Sequence, residues 1–194
     1  MRIITPWLAL AALLCLPVQA TTQDNPDRFQ GLLEEAGLTF QTPDGFSDIE
    51  LKRYPTLQHE RALRHADGKV EVRYAIRPLG RLEVDYNDAH SSTPEPNHLF
   101  SMMFHTLSIN LAKGTHIPSN EYPKDRAKEK FQADWASAAV FDVRPEFGEP
   151  FKQALLLAIH RNDLADAYVV VLFDDYKAQK PAIRAALASL AFKP

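Results

Sequence analysis

The sequence predicts an α+β fold: a single α/β/α sandwich on a largely antiparallel sheet of six to seven strands, with helices on both faces. Three observations point there. Helical and strand periodicities follow in the order helix, several strands, helix, several strands, helix, without regular βαβ alternation, so neighbouring strands are joined by hairpins. Asp67-Gly68 sits between two strand-like runs, where it suits the two positive φ values of a type I′ turn. Two late runs, ALLLAI (154–159) and YVVVLF (168–173), are apolar at consecutive positions, which fits strands covered on both faces.

Each element has its own local reason. Asn25 suits an N-cap and Pro26 the first helical position; Phe29, Leu32, Leu33 and Ala36 then recur at helical spacing until Gly37. LTFQTPDGF (38–46) reads as a strand entering a Pro-Asp-Gly turn. Runs 59–66 and 69–77 form the hairpin, pairing Arg64 with Glu71, Leu63 with Val72 and Arg61 with Tyr74. Val70, Val72, Tyr74 and Ile76 alternate with Glu71, Arg73 and Ala75, the pattern of a strand with one face inward. LEVDY (82–86) continues the sheet, and 87–96 is a loop that Pro94 and Pro96 keep irregular.

A helix from Pro96 or Asn97 to about residue 113 follows, closed by Gly114, with a core stripe of Phe100, Met103, Phe104, Leu107 and Leu111. A charged helix spans 123–133, and strands span 135–143, 153–160 and 167–173. Asp174-Asp175 caps the closing helix, which puts Ile183, Leu187 and Leu190 on one side.

Residues 1–20 have the anatomy of a secretory signal peptide. Arg2 precedes an apolar run over 7–16, Pro17 breaks it, and Val18-Gln19-Ala20 places small residues before a cleavage after Ala20. The run is shorter than the roughly 20 residues of a membrane span. A lipoprotein signal wants a small residue ahead of its cysteine, and Leu14 precedes Cys15. Residues 21–194 are then one domain in the periplasm or outside the cell, with no stable membrane insertion after cleavage. The only cysteine leaves with the signal, so disulfides, a thiolate nucleophile and Cys-ligated metal are excluded. All 25 acidic residues but only 21 basic ones lie beyond position 20, a net charge of −4. That balance argues against nucleic acid and against docking on an anionic membrane.

The ending VVVLFDDYKAQKPAIRAALASLAF, a strand, acidic turn and helix finishing on Leu-Ala-Phe, resembles the C-terminus of the superfamily of PsbP-type and Ran-binding Mog proteins. PDGF, EVRYAIRPLGRLEVDY and KFQADWASAAVFDV resemble a family of secreted proteobacterial proteins of unassigned activity. The resemblance implies a periplasmic PsbP/Mog-like α/β/α sandwich and no activity. Superfamily members serve as photosystem subunits, nucleotide-exchange partners and secretion chaperones, so it implies binding ahead of catalysis.

Candidate sites are few. EVDYNDAHSSTPEPNHLF (83–100) holds Asp85, Asp88, His90 and His98, which suit a metal only if the loop folds His90 back toward Asp88 and His98. HERALRH (59–65) is a near miss for His-Glu-x-x-His, and on a strand its two histidines stand about 20 Å apart. His98 and His105 lie about 10 Å apart in rise along the long helix, too far for one ion. They share its outer side with Met102 and Ile109, a candidate binding surface together with the 87–98 loop. Arg61, Arg64, Arg73, Arg77 and Arg81 pair with Glu60, Glu71 and Glu83 on a solvated sheet face.

No nucleophile elbow, phosphate-cradling loop or dinucleotide fingerprint occurs, so no catalytic residue and no cofactor is implied. The expected function is a non-enzymatic periplasmic protein that binds a protein partner or small ligand. The alternatives are a metal-dependent hydrolase or metal binder using 85–98, and an immunity protein or chaperone for a secreted effector.

Overall fold

The computed structural model describes residues 26–82 and 95–194. The expected signal peptide, most of the strand expected over 82–86 and the loop up to Pro94 lie outside the described residues, and so do Asp85, Asp88 and His90.

The main sheet contains β2 (Phe46–Asp48), β3 (Arg61–His65), β4 (Val70–Pro78), β5 (Ser119–Glu121), β6 (Trp135–Asp142), β7 (Gln153–Arg161) and β8 (Ala165–Phe173). Its seven strands run in the order β2-β3-β4-β8-β7-β6-β5, and every pairing is antiparallel. The hairpin register is the expected one, Arg64 opposite Glu71 and Arg61 opposite Tyr74. Its turn is not type I′. Gly68 has φ +72°, Asp67 has no positive φ, and the Gly68 N–H closes on the His65 carbonyl at 2.8 Å. The Asp67 carboxylate accepts from Lys69 N at 2.9 Å, the local bond that lets aspartate hold a turn without the left-handed conformation.

One sheet face is covered by α1 (Pro26–Glu35), α3 (Lys124–Phe131) and α5 (Tyr176–Ala188), whose Phe29, Leu32, Phe131 and Ile183 pack on Val72, Tyr74, Leu157 and Val171. The other is covered by α2 (Phe100–Leu111) and α4 (Pro145–Gly148), with Phe104, Leu107, Leu111 and Phe147 on Ala75, Leu156, Val170 and Leu172. The consecutive apolar runs of β7 and β8 are therefore buried on both faces, as their composition requires. Each fully buried leucine or valine contributes about 1.5–3 kcal/mol relative to an exposed one.

β1 (Leu38–Phe40) is the strand expected before the Pro-Asp-Gly turn, and four short elements were not expected: β2, β5, α4 and β9 (Leu190–Phe192). β1 and β9 pair as a small second sheet, Leu38 opposite Phe192. Leu190 thus belongs to this strand and not to the closing helix. Asp175 caps α5, accepting from Lys177 N at 2.9 Å and Ala178 N at 3.1 Å, whereas Asp174 accepts from Lys152 N at 2.9 Å. α2 starts at Phe100 after a 3-10 turn over Pro96–His98, so His98 is not part of the α-helix.

The largest departure is on β4. Its polar side is not solvated: Glu71 is 3 % and Arg73 2 % exposed. The Arg73 guanidinium lies 4.4 Å from the Tyr54 ring centre and 4.5 Å from that of Phe147. Its Nε and Nη2 both reach Glu71 Oε1 at 2.7 Å, and Nη1 donates to the Phe147 carbonyl at 2.6 Å. Glu71 Oε2 accepts in turn from Arg64. Of the expected ion pairs, Arg64 and Arg73 meet Glu71 and Arg77 meets Glu60, whereas Arg61 pairs with Asp48 and Arg81 with Glu35. Glu83 lies outside the described residues, and the innermost pair is covered by the segment before β3 and by α4.

Candidate functional site: a groove where β3 stops short

β3 has five residues and β4 nine, so β3–β4 pairing ends at Arg61 and Tyr74, followed by one bond from Glu60 N to Tyr74 O at 2.9 Å. From Ile76 to Pro78, β4 keeps β8 on one side and has no strand on the other among the described residues. Side chains close that edge. Glu60 Oε2 accepts the Ile76 N–H at 3.0 Å, and Arg77 Nη1 donates to Glu60 at 2.9 and 3.1 Å and to Ile76 O at 2.7 Å. Arg77 Nη2 donates to the Gln58 carbonyl. Pro78 carries no N–H that needs a partner.

Among the described residues an ion pair stands there in the place of a strand. A groove of about 560 Å³ lies there, within the range of small-molecule sites. α1 supplies Arg28 and Leu32, and α2 supplies Met103 and Leu107. Leu57 and Leu79 come from the segments flanking the hairpin, Leu99 precedes α2, and Asp166 and Tyr168 come from β8. Met103 was expected in the core stripe of the long helix. It is 38 % exposed, because the core-facing arc of α2 is Phe104, Leu107, Ser108 and Leu111.

The carboxylates of the groove are already engaged. Glu60 serves Arg77 and the β4 edge, and Asp166 Oδ1 accepts from His160 Nδ1 at 2.7 Å. His160 is buried, with Nε2 facing Asn162 Oδ1 at 2.9 Å and its ring stacked on Phe100 at 4.3 Å between centres. Both ring nitrogens are occupied, so this Asp–His pair has the composition of an acid/base dyad without a nitrogen to offer a substrate. Burial, then the charge of Asp166, pushes the Tyr168 phenol far above its ordinary range, so it stays protonated at neutral pH. Arg81 donates to both oxygens of Glu35, and that hydrogen bonding holds Glu35 below the usual carboxylate range.

Of the residues singled out in the sequence, Met102 (56 % exposed), His105 and Ile109 (44 %) lie on the outer side of α2, and His98 is exposed in the 3-10 turn. His59, expected on the strand, precedes it and is buried, stacked on Tyr54 at 5.9 Å. Among the described residues, no group of three or more His, Cys, Asp or Glu side chains could hold a metal ion. Nor is any helix among them long and apolar enough to cross a membrane. Of the groove residues, Glu60, Arg77 and Arg81 were read as ion pairs of a sheet face and Leu32, Met103 and Leu107 as core stripes, and their meeting in one groove was not expected. The trace of the groove itself is Pro78-Leu79, which ends β4 beyond the reach of its hairpin partner.

No family model and no curated protein matches the chain. Among solved structures it is similar to the solution structure of cyanobacterial PsbP (CyanoP) from Synechocystis sp. PCC 6803. The identity is 11 % and the TM-score 0.46, over 81 % of this chain and 88 % of that one. The fold assignment stands on the strand order and registers above.

Proposed function

We propose that this is an exported, non-enzymatic binding protein whose groove takes a small ligand with an apolar body. The observation that carries the reading is the groove itself: about 560 Å³, with Leu32, Met103 and Leu107 as its apolar helical lining and its carboxylates committed to internal partners. The neutral, environment-sensitive dye Nile red tests it. Saturable binding at one site is expected, and Met103→Trp, which fills the groove from a half-open position without burying a polar group, weakens it about tenfold or more. Equal binding by the variant would remove the groove as the site.

Export is supported by the layout of residues 1–20 and by the stretches that resemble secreted proteobacterial proteins. Protein recovered from the periplasm or medium should begin at Thr21. An intact N-terminus confined to the cytoplasm would contradict export.

A further inference from the structure

Resting on the groove as the binding site, we infer that its ligand is a single-chain anionic amphiphile, an acyl-type chain ending in a carboxylate. The shape calls for an extended body. Leu32 and Ile76 belong to the core on one sheet face, whereas Leu57, Leu107 and Tyr168 belong to the other. A groove lined by all five runs around the 76–78 edge of β4, which no strand among the described residues covers, from one face to the other. A chain that bends can follow that path, whereas a flat ring system cannot fill both ends. Among the described residues Tyr168 is the one aromatic side chain lining it, so they offer little stacking for a nucleobase.

The polar lining sets the sign of the head. Three guanidinium groups, Arg28, Arg77 and Arg81, line the groove with two carboxylates, Glu60 and Asp166, and a third carboxylate, Glu35, is paired with Arg81. Glu60 is saturated by Arg77 and the Ile76 N–H, and Asp166 is held by His160. Arg77 uses Nη1 and Nη2 on Glu60 and two carbonyls, which leaves its Nε–H without a partner among the described residues. Arg28 is exposed and has no acidic partner among the described residues. A carboxylate therefore finds unused donors at Arg28 and at Arg77 Nε, with the charge-assisted hydrogen bonds that favour it over a neutral head. A cationic head meets the unpaired Arg28 and finds both carboxylates of the lining, Glu60 and Asp166, held by internal partners.

Displacement of Nile red by dodecanoate, dodecanol and dodecyltrimethylammonium, each below its micellar concentration, tests the head-group preference on one chain length. Dodecanoate is expected to bind about tenfold or more tighter than dodecanol, and the cation weakest. Combining Arg28→Glu with Arg81→Gln should bring the ratio of dodecanoate to dodecanol affinity near or below one. A ratio is immune to a uniform loss of folded protein. Equal affinity for all three probes, or a ratio unmoved by the double variant, overturns the ligand class while Nile red binding and its loss in Met103→Trp still support the groove. Absence of Nile red binding removes the groove and the inference together.

Discussion

Replacing Glu71 with alanine is expected to lower the unfolding free energy by about 3–5 kcal/mol, read from urea denaturation at neutral pH. The cost comes mostly from what is left behind. Glu71 is the only carboxylate within reach of Arg73 among the described residues, and it also accepts from Arg64. Without it a buried guanidinium keeps one carbonyl, that of Phe147, and the faces of Tyr54 and Phe147. Ring faces stabilise a cation by only about 2 kcal/mol when desolvated, too little to replace a paired carboxylate. Removing both charges at once, as Glu71→Leu with Arg73→Met, leaves no orphan and should recover most of the loss. A single substitution costing under about 1 kcal/mol would mean that water reaches Arg73, contrary to its burial.

Between pH 6.5 and about 4, His59 is expected to remove about 3 kcal/mol of stability. Burial, followed by the nearby charge of Arg73, lowers its pKa from 6.5 to about 4. The sign follows from which state binds the proton first. As pH falls below 6.5 the unfolded chain is protonated while the folded chain keeps a neutral imidazole, so the unfolded state gains. The contribution of neutral His59 is complete above pH 6.5, shrinks through the window, and is lost below about 4. Other groups titrate in acid too, so the informative quantity is the difference from His59→Phe, which keeps an aromatic ring against Tyr54 and has nothing to protonate. The two stability curves should converge as pH falls from 6.5 to 4. Parallel curves would show that His59 is protonated without penalty in the folded protein.

Much of the fold was legible where one periodicity governs. The β3–β4 register followed from the spacing around Asp67-Gly68, and the two-sided burial of β7 and β8 from their unbroken apolar runs. What failed was settled by partners far away in sequence. Glu71 and Arg73 alternate with apolar residues as a solvated face would. They are buried because Tyr54 and Phe147, from two separate segments, close over them, and no local pattern records that. β5 reads Ser-Asn-Glu and is exposed throughout, so it has no apolar signal. β9 follows α5 after a single residue and its leucine fits the helical stripe, which hid the strand.

The groove was the least legible feature. It arises from a difference in length between two paired strands and from helices on opposite faces meeting at the exposed edge. The outer side of α2 stood out instead, because helical spacing alone places Met102, His105 and Ile109 together.

The two sides of α2 make opposite predictions for one measurement, amide and methyl chemical-shift mapping by NMR as dodecanoate is added to isotope-labelled protein. The account predicts saturable shifts at Leu32, Ile76, Leu79, Leu99, Met103 and Leu107, with Met102, His105 and Ile109 little changed. Shifts confined to Met102, His105 and Ile109, or no saturable shifts at all, would contradict it.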